Sequence, residues 1–356
     1  MAFEYTHGGD YLTLREKYGE DILDFSASVS PFGLDPEVKK ACEKALATAD
    51  LYPDPMCRKL RKALGAKEGI SPSRIVCGNG AEELIWRLAH ALPKGKTLIP
   101  VPMYTEYARA LADNGWEVSE YCLSEKNNFS LTEDILKDIT PELSLLVLCE
   151  PGNPTGRVTD LRLLTRILRK TWELGIFCLV DNCFGDFLPE DKGDKLSELL
   201  KSYPNVFCLR AFTKFHAMAG LRLGWLICGT EAAADRIFER GPLWSVSHVA
   251  QAAGICALSR EGKAQREYLI AQREILEGEL ISLGLKVIPG EANFLLFKGP
   301  EDLAQRLLEK HIAIRDCSNF AGLSFGWFRI GVRTGEENRV LIDSLKAVMR
   351  DEYEKQ

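Results

Sequence analysis

Between about residues 70 and 230, short apolar runs alternate with longer amphipathic stretches. The runs are RIVC (74–77), TLIP (97–100), LLVLC (145–149), IFCLV (176–180), VFCLR (206–210) and GWLIC (224–228). Between them, segments such as Ala81 to Leu92, Tyr104 to Asn114 and Leu161 to Leu174 carry apolar residues at helical spacing. Runs that are apolar on both faces and separated by helices predict an α/β unit with a mostly parallel sheet covered on both sides.

After Pro242 the pattern changes. One long helical stretch is predicted from about Val246 to Leu283, followed by the shorter strand candidates LKVI (285–288), NFLLF (293–297), IAIR (312–315) and FRIGVR (328–333). A charged helix closes the chain. The expected division is an N-terminal arm (1–35) that completes the small domain, a large domain (36–243), and a linking helix with a small α+β domain (244–356).

Composition narrows the class. The 356 residues carry a formal net charge of −6, so no polyanion partner and no nucleic acid are expected. Arg157, Arg162, Arg166, Arg169 and Lys170 lie along a predicted helix and read as its solvated face. The eleven cysteines are odd in number and form no C-x-x-C pair. Cys77, Cys149, Cys178, Cys208 and Cys228 fall inside apolar runs, where a free thiol is a small hydrophobe, so a reducing compartment and no metal site are expected. MAFEYTHGGDYLTL lacks a basic segment followed by an apolar one, and no run is long enough to span a bilayer. The expectation is a cytoplasmic enzyme with no membrane contact.

In an open α/β sheet, ligands bind beyond the carboxyl ends of the strands. After RIVC comes Gly78-Asn79-Gly80-Ala81-Glu82, and after LLVLC comes Glu150 followed by PGNPTG (151–156). IFCLV ends in Asp181, VFCLR leads to Thr213-Lys214, and Arg222 follows in GLRLG (220–224). A lysine, a carboxylate, an amide, an arginine and a glycine-rich helix start therefore converge on one edge. Pyridoxal 5'-phosphate (PLP) needs each of them. Its aldehyde takes the lysine, its ring nitrogen an acid, and its phenolic oxygen a donor such as Asn; its phosphate takes helix N–H groups and an arginine.

PGNPTG, Asp181 and TKFHAMAGLRLG (213–224) resemble the signature of the class I/II aminotransferase superfamily, fold type I. The resemblance runs the length of the chain and implies the aspartate aminotransferase fold, with a seven-stranded sheet in the large domain. It implies Lys214 as the Schiff-base lysine, Asp181 on the ring nitrogen and Asn153 on the ring oxygen. It places Gly80, Ala81, Glu82, Thr213 and Arg222 around the cofactor phosphate, with Tyr104 stacked on the ring. Tyr52, in LYPD, resembles a tyrosine that reaches the phosphate of the neighbouring subunit, which implies a homodimer with shared sites. Phe184 and Ala211 depart from the tyrosine and serine that many relatives carry there.

The same resemblance implies a substrate. Arg329, in FRIGVR, resembles the arginine that grips the substrate carboxylate. Arg315, in IAIRDCSNFAGL, resembles a phosphate-binding arginine of histidinol-phosphate aminotransferases and of the threonine-phosphate decarboxylases of cobalamin synthesis. His7-Gly8-Gly9 and LDFSASVSPFG (23–33), which contains Ser28, are similar to the arm of the decarboxylase group; Ser28 and Asp10 stand where that group carries asparagine. The expected activity is PLP-dependent decarboxylation of a phosphorylated amino acid, with transamination as the alternative. A Rossmann dehydrogenase is disfavoured because GNGAEE lacks the third glycine of that fingerprint. A PLP-binding transcription regulator is disfavoured because no helix-turn-helix precedes the domain.

Overall fold

All six apolar runs become strands of one sheet. The computed structural model describes residues 7–19 and 21–353, so the expected arm lies partly outside the described residues. The sheet has seven strands in the order Ile75–Gly78, Gly224–Cys228, Val206–Ala211, Phe177–Asp181, Leu143–Cys149, Lys96–Val101 and Glu117–Cys122. Only Gly224–Cys228 runs antiparallel to its neighbours. Successive strand residues feed opposite faces, as the pleat requires. Leu146, Leu148, Cys178, Val180 and Cys208 join one core, and Leu145, Val147, Cys149, Leu179 and Leu209 the other.

Glu117–Cys122 was not expected. It lies at the sheet edge with no buried residue, and its polar sequence EVSEYC suits an edge but carries no long apolar run.

A four-stranded antiparallel sheet orders Arg315–Asp316, Trp327–Gly331, Phe294–Lys298 and Lys286–Ile288. The candidate IAIR is split. Ile312–Ala313 pairs instead with the arm strand Leu23–Asp24, and only Arg315 continues into the four-stranded sheet.

The single helix expected over Val246 to Leu283 is two, His248–Leu258 and Lys263–Ser282. Ser259-Arg260-Glu261-Gly262 ends the first, and a Cβ on Gly262 would lie 2.5 Å from the Phe215 ring. The first helix packs on the helices Pro36–Leu46 and Arg58–Glu68 and buries Ala250, Ala253 and Ala257 in the core of the large domain, whereas Leu269, Leu276 and Leu280 of the second join the core of the small sheet. The chain thus passes from one core to the other across 259–262.

Candidate active site

Gly78, Gly224 and Ala211 meet at one rim of the large sheet, with Asp181 and Cys149 paired beside them. A cleft of about 760 Å³ opens over this rim. Asp181 ends its strand and lines the floor. Its Oδ2 accepts from the Tyr107 hydroxyl at 2.6 Å, and its Oδ1 from the Cys183 backbone N–H at 2.8 Å.

Lys214 lies three residues beyond the end of the neighbouring strand, with its ammonium 5.7 Å from the Phe184 ring centre. Withdrawal from water, with the charges of Arg329 and Arg222 adding, lowers its pKa from 10.5 to about 8. The arm is tied to the same residue, because Ser30 N–H donates to the Lys214 carbonyl at 2.9 Å.

The anion cradle is built by close backbone approach. Gly80, at φ +86°, caps the helix Ala81–Ala91, and a Cβ there would lie 2.5 Å from Arg222 Nη2. A Cβ on Gly224 would meet the Ala81 nitrogen at 2.7 Å. Glycine is required at both positions so that a guanidinium can stand at a helix N-terminus, an arrangement that binds phosphate. Ala81, Glu82, Thr213 and Arg222 line the cleft here, while Gly80 sits behind the arginine. Tyr104 also lines the cleft, its ring 5.4 Å from that of Tyr107 and nearly perpendicular to it.

Arg329 and Asn153 form the opposite wall. Arg329 donates through Nη1 to Asn153 Oδ1 and through Nη2 to the Ser26 carbonyl at 2.9 Å, while its buried Nε has no partner. Burial, with the Arg315 charge adding, pushes its pKa below the usual arginine range. Arg315 reaches the same cleft, donating to Asn319 Oδ1 at 2.7 Å.

The arm closes the mouth of the cleft with His7 and Gly8. His7 Nε2 lies 2.9 Å from Glu106 Oε1, and Arg109 Nη1 lies 3.1 Å from Glu106 Oε2. Gly8 passes so close to the bend at Ser26 that a Cβ would lie 2.3 Å from the Ser26 carbonyl oxygen.

Ser28 does not reach the cleft. The chain bends at residues 26, 27 and 29, and along it Ala27 and Val29 line the cavity while Ser26, Ser28 and Ser30 are buried. The Ser28 hydroxyl is buried without a partner. Tyr52 does not line its own chain's cleft either; it is 79% exposed and packs on Trp244 with ring centres 4.9 Å apart. Tyr107, Glu106, Arg109 and Cys183 are site residues that the sequence motifs do not reveal. The only signal is the Tyr104-x-x-Tyr107 spacing, with Tyr104 just before the helix Glu106–Asp113 and Tyr107 in its first turn.

The residues present fit PLP: a lysine and an anchored carboxylate on the floor, and an arginine at a helix start that any Cβ at Gly80 would displace. The chain belongs to the aminotransferase class I and II family, whose model matches residues 20–345. This is a family of PLP-dependent enzymes. The chain is 35% identical to the threonine-phosphate decarboxylase of Salmonella typhimurium, over 98% of its own length and 97% of that protein. Among solved structures it superposes on the histidinol-phosphate aminotransferase of Clostridium acetobutylicum with a TM-score of 0.87 at 26% identity, covering 93% of this chain and 100% of that one. The aspartate aminotransferase of Thermotoga maritima gives 0.84 at 22% identity, covering 96% and 95%, and supports the fold alone.

Proposed function

We propose that this chain is a PLP-dependent decarboxylase of L-threonine O-3-phosphate. The observation that carries the reading is Arg315 standing beside Arg329 in one cleft with Lys214, which provides two cationic seats for a substrate with two anionic ends. The 35% identity to a threonine-phosphate decarboxylase over nearly the whole chain supports it.

When bound, PLP supplies a carbonyl for the substrate amine and a ring that draws electron density from Cα. Asp181, held by Tyr107 and Cys183, is the residue that would pair with the ring nitrogen and keep it protonated. Arg222 and the helix start at Ala81 would hold the cofactor phosphate. Arg329 holds the substrate carboxylate, and Arg315 with His7 at the mouth takes the substrate phosphate. Lys214, with its pKa near 8, is suited to hold a proton near neutral pH and deliver it to Cα once carbon dioxide has left. Asn153, which accepts from Arg329, would hold the ring oxygen beside the carboxylate seat.

We further propose a homodimer in the cytoplasm, with Tyr52 completing the cradle of the partner subunit. The exposure of Tyr52, Leu51, Leu243 and Trp244 supports a covered face. The eleven cysteines are all free, and among the described residues no helix is long and apolar enough to cross a membrane. The large and small domains are proposed to divide at 243, with the arm counted to 35.

Holoenzyme incubated with L-threonine O-3-phosphate tests the reading by mass spectrometry. Carbon dioxide and aminopropanol phosphate released without a keto acid support it. Conversion of the cofactor to its pyridoxamine form by histidinol phosphate, with no carbon dioxide, replaces it with a transaminase. That alternative rests on the likeness to the Clostridium structure.

A further inference from the structure

Tyr107 is the largest polar side chain of the site that no sequence motif accounts for. It stands in the first turn of the helix Glu106–Asp113, its ring 1% exposed and packed in the core under the large sheet. A tyrosine used only as filler would leave its hydroxyl at a cost, because a buried polar group without a partner is destabilising. Here the hydroxyl donates to Asp181 Oδ2 at 2.6 Å across 74 residues of sequence.

We propose that Tyr107 is a positioning residue for Asp181, fixing the direction of its carboxylate and keeping that carboxylate the weaker base toward the PLP ring nitrogen. The inference rests on the PLP reading above and adds to it the group that sets how strongly the ring is protonated.

Two donors pin the two oxygens separately, the Cys183 N–H on Oδ1 and the Tyr107 hydroxyl on Oδ2. Rotation about the Cβ–Cγ bond is therefore blocked, and the lone pairs that remain are directed by these contacts. Donation to an ionised carboxylate stabilises the ionised form. The proton shared with the ring nitrogen then stays on nitrogen rather than moving to Asp181. Burial, with the Asp181 charge adding, raises the Tyr107 pKa well above its usual value, so the phenol stays a donor through the physiological range.

The contact also connects two parts of the cofactor seat. Tyr104, which lines the cleft, stands three residues before Tyr107, just outside the helix, with the rings nearly perpendicular. On its far side Tyr107 neighbours the Cys149 thiol, which donates to the Pro151 carbonyl at 3.1 Å in the loop that carries Asn153. A change at Tyr107 is thus felt at the ring-nitrogen partner first.

The test uses full-length wild type, Tyr107→Phe and Tyr107→His reconstituted with PLP labelled with 15N in the ring. Tyr107→Phe removes only the hydroxyl, and Tyr107→His restores a donor if the phenylalanine variant is poorly folded. The expected result is cofactor uptake by all three chains. In Tyr107→Phe the 15N signal moves toward the unprotonated pyridine position and kcat falls by about 10–100-fold with KM little changed. In Tyr107→His both return part of the way. An unchanged 15N signal in Tyr107→Phe overturns the proposal, even if its thermal midpoint falls, because a merely structural role lowers stability without moving ring protonation. Wild type that fails to bind PLP through Lys214 sinks the cofactor reading and this inference together. Wild type that binds while the variants keep its 15N signal sinks this inference alone.

Discussion

Arg315 and Arg329 stand directly opposite each other on adjacent antiparallel strands. Like charges in that position cost the fold about 0.2–1 kcal/mol, so the pair is not there for stability. Arg329 is 7% exposed and donates to Asn153 and Ser26, while Arg315, which donates to the Asp316 carbonyl and Asn319, is only half-buried. The outer arginine is the one placed to meet the end of the substrate farther from Lys214. Replacing Arg315 with Ala should raise KM for L-threonine O-3-phosphate by about 10–100-fold, the worth of a charge-assisted contact of roughly 1.5–3 kcal/mol. The thermal midpoint should hold or rise slightly, since a repulsion is removed. Steady-state kinetics and calorimetry on the same preparation check both halves; an unchanged KM would remove Arg315 from the phosphate seat.

Lys214 makes the apoprotein pH-sensitive in a definite direction. Its folded pKa of about 8 lies below the 10.5 of an exposed lysine. Between those values the unfolded chain binds a proton that the folded chain has released, so stability rises with pH across that interval. Below pH 8 both states are protonated, and the full cost of holding the charge in the cleft is present. Lys214→Met should therefore stabilise the apoprotein at pH 7 by about 1–3 kcal/mol, with the difference shrinking toward zero above pH 10.5. Urea melts of the two apoproteins at pH 7 and across pH 8–10.5 would show it. A gap that stays constant with pH would place the effect in packing instead.

Gly80→Ala should separate cofactor affinity from folding. The added methyl would lie 2.5 Å from Arg222 Nη2, at a backbone φ of +86° that side chains other than glycine rarely adopt. The guanidinium is the movable partner, so the variant should fold with a loss of about 1–3 kcal/mol and bind PLP at least tenfold more weakly. Equilibrium dialysis of PLP against wild type and variant measures this. Equal affinity would mean that Arg222 is not needed in the cradle.

The floor of the site is legible in the sequence because each of its groups follows an apolar strand. Asp181, Lys214 and the Gly80 turn are placed by the rule that open sheets bind at their carboxyl edge. Tyr107 is hidden because, within its helix, it has the spacing of a core residue; only a contact 74 positions away gives it a role. Ser28 is misplaced for a simpler reason. A motif marks the arm, but beyond the strand Leu23–Asp24 the chain bends at 26, 27 and 29, and those bends decide which side chain faces the cleft and which the core. The break at 259–262 escapes notice because the pattern stays helical on both sides while the surface being buried changes. Glu117–Cys122 escapes because an edge strand needs little apolar character.

Glu106 offers the sharpest test of the arm. Its carboxylate is almost wholly buried, 4% exposed, yet it sits at the mouth of a cleft that is proposed to take a phosphate. A buried carboxylate there would repel the substrate unless its charge were engaged, and it is engaged by His7 and Arg109 on separate oxygens. Its role is then to fasten the arm, so that His7 is presented at a fixed place beside the cleft. Glu106→Ala should cut this tether and leave the cofactor floor intact. KM for L-threonine O-3-phosphate is expected to rise by about 5–50-fold, in line with roughly 1–2.3 kcal/mol of lost positioning, with PLP affinity unchanged. Glu106→Gln keeps an oxygen and an amide of the same size and should lose only part of this. Hydrogen exchange over residues 7–18 should quicken in Glu106→Ala and stay slow in Glu106→Gln. If exchange quickens while KM does not move, His7 has no part in holding the phosphate, and Arg315 carries that seat without the arm.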